Sequence, residues 1–230
     1  MVMILRCYTS FGPSSLKWVE IMDHGEFLDN VKKGVIVAIL ADDTLKDRLV
    51  LKGGNLLQFA YEISTRASKD VDISIDGDFE DTEALKERVK ESLTEVFSAR
   101  DLIVLDFTFS EVPPRISEDM KDFWGGYKCE FKLIDRDVHE EFSGNLNDLR
   151  VRALSLDDTN KTRFKIDFSR HEFCDEKELF EIDGKLIYGY SPRMFVAEKL
   201  RAICQQMPEY GEIVNRNRPA GARARDFVDI

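Results

Sequence analysis

The sequence predicts a mixed-sheet α/β domain, close to α+β, with flanking helices and a helical C-terminal part. Three observations predict it. Helical apolar spacing opens and closes the chain, period-two alternation recurs in several neighbouring segments between, and no repeat or Pro/Gly-rich linker interrupts the run. With 230 residues, 43% hydrophobic and 33% charged, the chain can build one large domain, or a domain with a smaller appendage.

Residues 14–41 read as mostly helical, with a break at Lys33-Gly34. Leu49-Val50-Leu51 is a short strand ended by Gly53-Gly54. Leu56, Phe59, Ala60 and Ile63 then fall at i, i+3, i+4 and i+7, an apolar helical stripe. Val71, Ile73 and Ile75 alternate with Asp70, Asp72 and Ser74, as in a half-buried strand. Residues 82–97 form the clearest helix, with Leu85, Val89, Leu93 and Val96 on one side and Asp81 or Thr82 as N-cap. Strands follow at about 103–109, 127–134 and 163–169. The run EIDGKLIYGY is hairpin-like and leads through Ser191-Pro192 into a helix whose stripe is Val196, Leu200, Ile203 and Met207. Ala222–Ile230 starts another helix. Residues 1–190 are expected to form a core with N-terminal helices, and residues 191–230 a C-terminal helical segment.

The net charge of −11 opposes indiscriminate binding to DNA or acidic membranes. It is uneven: residues 191–230 carry +2 and residues 1–190 carry −13, which suggests a local anion site on an acidic body. Cys7, Cys129, Cys174 and Cys204 form no CxxC pair, and His24, His139 and His171 are equally scattered. That excludes the usual zinc spacings and a disulfide framework, and makes a reducing cytoplasm the expected location. No run reaches membrane-spanning length and no signal-peptide pattern opens the chain. A metal would be held by carboxylates, hence a hard cation such as Mg²⁺.

The stretch LKGGNLLQFAYEISTRASKDVDISI, residues 51–75, carries the chemistry. Two glycines between a strand and a helix allow a sharp turn and close approach of a ligand to the backbone. The helix start offers unpaired N–H groups and a positive dipole end, which favour phosphate. Asp70 and Asp72, two apart on a strand, share one face. Their mutual repulsion is relieved when a cation sits between them. Alone, a GG turn is usually only a turn and a D-x-D strand a solvated edge. In this order they describe a triphosphate held at one end by the turn and at the other by metal, the apparatus of phosphoryl or nucleotidyl transfer.

The order G-G, helix, then Arg66-Ala67-Ser68-Lys69-Asp70-Val71-Asp72-Ile73 resembles the AbiEii/AbiGii toxin family of nucleotidyltransferases, within the DNA polymerase β-like superfamily. Glu198-Lys199-Leu200-Arg201-Ala202 is similar to the family's E-K-L-x-A helix, and Arg225-Asp226-Phe227-Val228-Asp229 to its R-D-h-h-D element. The resemblance spans about residue 49 to the C-terminus. It implies a mixed-sheet nucleotidyltransferase fold in which residues 191–230 complete the active site. Three departures stand out: Asn55 where the family has Thr or Ser, Ala67 for a bulkier residue, and an end at Ile230 where many relatives continue into a helical bundle. Asn55 keeps an amide that can donate to phosphate.

The resemblance further implies a third carboxylate from a neighbouring strand, for metal binding and deprotonation of the attacking hydroxyl. Asp167 in Arg163–Ser169 is the preferred candidate and Glu130 in Tyr127–Phe131 its rival; each is equally readable as a solvent-facing acid. The expected catalytic set is Asp70, Asp72, Asp167, Lys199 and Asp226, with Asp70, Asp72 and Asp167 as ligands of Mg²⁺ or Mn²⁺. Gly53, Gly54, Asn55, Arg66, Ser68 and Lys199 are the expected nucleotide contacts. Lys199 would neutralise the triphosphate and Asp226 orient Lys199 or the nucleotide. Without the family motif Lys199 reads rather as an exposed helix lysine or an ion-pair partner, and Asp226 reads also as an N-terminal helix acid favoured by the macrodipole. Arg66 and Ser68 suit a structural role at least as well, and Lys52 reads as reaching phosphate or pointing to solvent. The implied activity is metal-dependent transfer of NMP from an NTP to an acceptor such as tRNA, by a toxin with a cognate antitoxin and no membrane partner. Alternatives are an aminoglycoside-type transferase and a non-catalytic nucleotide-binding or interaction domain.

Overall fold

A computed structural model describes residues 24–63, 68, 70–115, 124–156, 160–213, 221 and 223–230. In chain order these form α1 (His24–Leu40), β1 (Leu49–Lys52), α2 (Gly53–Phe59), β2 (Val71–Ile75) and α3 (Thr82–Ser98). There follow β3 (Leu102–Val112), β4 (Gly126–Asp135), α4 (Arg136–Glu141), α5 (Leu146–Arg152) and β5 (Phe164–Ser169). The hairpin β6 (Glu178–Ile182) and β7 (Lys185–Gly189) precedes α6 (Pro192–Cys204), α7 (Pro208–Ile213) and α8 (Ala224–Asp229). The result is the mixed α/β fold expected: one seven-stranded sheet, ordered β3-β4-β5-β2-β1-β7-β6.

Cross-strand partners share a face, so the register divides the sheet into two chemistries. Leu49, Leu51, Val71, Ile73, Ile75, Phe164, Ile166, Phe168, Cys129 and Phe131 pair with one another across β1, β2, β5 and β4. They join the core with Val35 and Ile39 of α1 and Leu85, Val89, Leu93 and Phe97 of α3. Lys52, Asp72, Ser74, Lys165, Asp167, Lys128 and Glu130 lie on the opposite face. The helical layer thus buries one side and leaves the other side's polar row to make a site.

Local chemistry explains the boundaries. Asp81 caps α3 by accepting from the Ala84 N–H at 2.9 Å. Asp183 (φ 48°) and Gly184 (φ 72°) supply the two left-handed residues of a tight hairpin turn between β6 and β7. Edge strand β3 is broken by a register shift between Leu105 and Thr108, where Asp106 receives Arg150 through three hydrogen bonds of 2.8–3.0 Å.

Three expectations need correction, and two short helices lie where no element was expected. The break at Lys33-Gly34 is absent, since α1 runs through it. At Gly34 a Cβ would meet Arg100 Nη1 at 2.5 Å, the movable end of a flexible side chain, and Phe97 at 3.4 Å, an ordinary contact. The stripe beginning at Leu56 stops short, with α2 ending at Phe59 and Ile63 73% exposed. The α6 stripe is also misplaced, because Met194 and Phe195 are buried while Leu200 and Met207 are exposed. Helices α4 and α5 carry too few apolar residues to announce themselves, only Leu149 being buried. The residues before 24 in the expected first helix, and Cys7, lie outside the described residues. Among the described cysteines Cys129, Cys174 and Cys204 are free thiols.

Candidate active site

Strand β1 delivers the chain into Gly53 at φ +70°, a left-handed conformation that costs a residue with a Cβ about 1 kcal/mol or more. A Cβ there would also collide with the Asp72 carboxylate. At Gly54 a Cβ would meet Ser68 Cβ at 2.9 Å. The first glycine therefore leaves room for Asp72, and the second for the loop that leads to it. This joins the two halves of the 51–75 stretch: the turn and the aspartate strand are packed on each other.

The same stretch fixes Asp70 through its backbone. Its carbonyl accepts from Asn55 Nδ2 at 2.7 Å and from Ser68 Oγ at 3.1 Å. Asn55 is fully buried, and among the described residues its Oδ1 has no hydrogen-bond partner. The expectation that its amide faces phosphate therefore gives way to an inward role: Asn55 serves the strand entry. Arg66 lies outside the described residues.

Parallel pairing of β2 with β5 sets Asp72 opposite Asp167. Burial, with Asp167, Glu198 and Asp70 nearby, pushes the Asp72 carboxyl up to about 6 against the pull of Lys52. Burial foremost, then Asp70, also raises Asp167, with Lys128 and Lys165 opposing. Asp70 thus acts on both Asp72 and Asp167, and Asp167 on Asp72, in a buried setting that the neighbouring lysines do not fully offset. Glu130 is in the opposite condition. It sits beside Lys165 on β4, is hydrogen-bonded by Lys128 and paired with Arg163 at 3.0 and 3.2 Å, and is held below the usual carboxylate range. Its charge is already compensated, whereas that of Asp167 is not.

Lys199 and Asp226 meet as a second cluster. Lys199 Nζ lies 3.0 Å from Asp226 Oδ1 and 3.5 Å from Asp229 Oδ2, tying α6 to α8, and Arg223 reaches Asp226 at 3.2 Å. Lys52 is the residue that sequence reasoning placed least well. It is 6% exposed, donates to Ser169 Oγ at 3.0 Å, and lies 3.6 Å from Glu172 and 3.8 Å from Glu198. Its position directly before the glycines was the one available signal; its register with Asp72 emerges only in the structure.

Among the described residues no three His, Cys, Asp or Glu side chains are gathered as a ready metal-ligand group. The donor chemistry nevertheless fits a hard divalent cation: carboxylate oxygens, a raised Asp72, and a glycine that leaves space at Asp72 Oδ2. No described helix is long and apolar enough to cross a membrane.

A glycine turn packed against Asp72, with Asp167 beside it on the adjoining strand of a mixed sheet, suits an enzyme that handles phosphate through a metal. The comparison with protein families is specific. The model for "Nucleotidyl transferase AbiEii toxin, Type IV TA system" matches residues 35–230, and the chain belongs to that family. It is accordingly a nucleotidyl transferase and the toxin of a type IV toxin–antitoxin system, which implies an NTP substrate and an antitoxin partner. Nucleotidyl transferases generally use divalent metals. No curated protein shows significant similarity to the chain.

Proposed function

We propose that the chain transfers NMP from an NTP to an acceptor hydroxyl, with Asp70, Asp72 and Asp167 holding Mg²⁺ or Mn²⁺. The observation that carries this reading is the in-register pair Asp72–Asp167, both raised, Asp72 by burial and by Asp167 and other nearby acids, Asp167 by burial and by Asp70. When bound, the metal neutralises the triphosphate and makes the attacking hydroxyl more acidic. Gly53 and Gly54 let the triphosphate approach the backbone, and Lys199, oriented by Asp226, offsets its charge. Asp167 takes the proton of the attacking hydroxyl as that oxygen bonds to the α-phosphorus. The bond to the β-phosphate oxygen breaks and pyrophosphate leaves. Asn55 and Ser68 act indirectly, by holding the Asp70 backbone where it must be.

In this reading residues 191–230 complete the site on a core of residues 1–190, and the enzyme works in the cytoplasm under control of its antitoxin. The acceptor is an RNA hydroxyl such as a tRNA 3′ end, a choice supported by the +2 charge of residues 191–230 on an otherwise acidic chain. The test is incubation with each labelled NTP, Mg²⁺ and total tRNA. Labelled tRNA is the expected product. Label on an aminoglycoside but not on tRNA would move the acceptor, and neither transfer nor NTP binding would overturn the reading.

A further inference from the structure

We propose that Lys52 is a positioning residue whose ammonium docks helix α6 onto the catalytic strands, acting on the reaction through the placement of Lys199. The inference rests on reading the aspartates and Lys199 as the transfer site. Lys52 ends β1 opposite Asp72 and is withdrawn from solvent, so its charge must be answered by protein groups. Besides Asp72 across the ladder, whose carboxyl Lys52 draws down, they come from Ser169 at the end of β5, Glu172 in the loop beyond it, and Glu198 on α6.

Two ties to α6 result. One runs directly from Lys52 to Glu198. The other runs through Glu172, which also receives two hydrogen bonds from Arg201 Nη2, at 2.8 and 2.9 Å. Glu198 and Arg201 are three residues apart on α6 and so share a face. Between them and next to Glu198 stands Lys199, turned toward Asp226 and Asp229 on α8. The angle at which Lys199 leaves the helix is therefore set by the two residues that Lys52 holds. The loop supplying Glu172 is itself constrained, with His171 at φ 60°, a conformation that persists only when its surroundings enforce it. Among the described residues Glu198 Oε2 is buried with no hydrogen-bond partner, so removing Lys52 leaves that carboxylate to the more exposed Arg201 on its own helix. An ordinary surface ion pair would show none of this convergence.

The experiment is a mutant cycle on the full chain: Lys52→Met, Lys199→Ala and the double variant. Transfer kinetics and binding of each Mg²⁺-NTP by calorimetry are measured, with hydrogen exchange of residues 192–204. Lys52→Met should weaken NTP use about tenfold and speed exchange in α6 while β2 and β5 stay protected. In its background Lys199→Ala should cost little more, because Lys199 is already misplaced. Independent, multiplying effects would overturn the proposal, as would parent-level NTP use in Lys52→Met. So would a defective Lys52→Met beside a harmless Lys199→Ala, an outcome that leaves the transfer function standing. A parent that transfers nothing would overturn the function, and the joint would then be judged on NTP binding and exchange. If Lys52→Met fails to fold, Arg201→Ala at the exposed end of the same tie replaces it. The same loss of additivity with Lys199→Ala is expected there, and additivity overturns the joint.

Discussion

Asp42, in the turn after α1, and Asp72, on β2, are both withdrawn from solvent, yet the fold answers their charges in opposite ways. Burial pushes the Asp42 carboxyl up, but Arg88, Thr44 and Ser92 more than reverse it and hold it at about 2. The contacts are explicit: Thr44 N–H and Oγ1 donate at 2.9 and 2.6 Å, Ser92 Oγ at 3.0 Å, and the Arg88 guanidinium closes the set. Asp72 has Lys52 on one side and Asp167, Glu198 and Asp70 on the others, and ends at about 6. The fold completes the first carboxylate and leaves the second held up by burial and by neighbouring acids that Lys52 does not offset. A carboxylate in that condition is one that a cation from outside can satisfy.

The largest effect that tests this contrast is on chemistry. Asp70→Asn and Asp72→Asn should each lower transfer about 100-fold or more, since each removes metal-binding charge without changing side-chain size. Circular dichroism should show both variants folded. Near-parent transfer in both would separate the aspartate strand from the glycine turn.

Gly53→Ala should come next. It adds a methyl where Asp72 already stands and forces a left-handed φ on alanine, so transfer should fall about tenfold with about 1–3 kcal/mol of stability lost. Urea unfolding and transfer rates read the two parts. The structural acid should behave differently: Asp42→Ala should cost about 2–4 kcal/mol in urea unfolding. Its transfer rate at a temperature where the variant is folded should match the parent.

The smallest contrast is in pH. In the folded chain Asp72 is protonated in a window, from about 3.8 to about 6, where its unfolded counterpart is not. The folded state then binds more protons, so metal-free stability should fall as pH rises through that window, by on the order of 3 kcal/mol from this group. Asp167, also raised, adds to the same trend. Asp42 runs the other way: its contribution is present above about 3.8 and is lost as pH falls toward about 2. Chemical unfolding between pH 3 and 7 should show a shallower downward slope above pH 4 in Asp72→Asn, with only the Asp167 share left, and the full slope in Asp42→Ala.

Local order was legible where neighbours in sequence are neighbours in space. The glycine turn, the D-x-D strand, the α3 stripe and the Asp-Gly hairpin are all written within a few residues. Long-range pairing was not. That β5 lies beside β2, bringing Asp167 to Asp72, depends on register across nearly the whole sheet; the family resemblance, not periodicity, favoured Asp167 over Glu130. Lys52 meets Ser169, Glu172 and Glu198 more than 100 residues away, and no spacing rule announces such a convergence. The α6 stripe misled for a related reason. Its inward face carries Glu198 as well as Met194 and Phe195, so an apolar count chose the wrong side. Asn55 deceived because an amide near a glycine turn can serve phosphate or backbone equally, and burial decides which.

The central claim, that the Asp72 region awaits a cation which the fold does not supply, is tested most directly by thermal melting of the parent and Asp72→Asn at pH 7. Each is melted without metal, with Mg²⁺, and with Mg²⁺ plus NTP. Without metal the variant should melt higher than the parent, because one of several repelling charges is gone. With Mg²⁺ and NTP the parent should rise by several degrees and the variant should not. A variant that melts lower than the parent without metal, together with a parent indifferent to Mg²⁺ and NTP, would make Asp72 a structural acid like Asp42 and contradict the account.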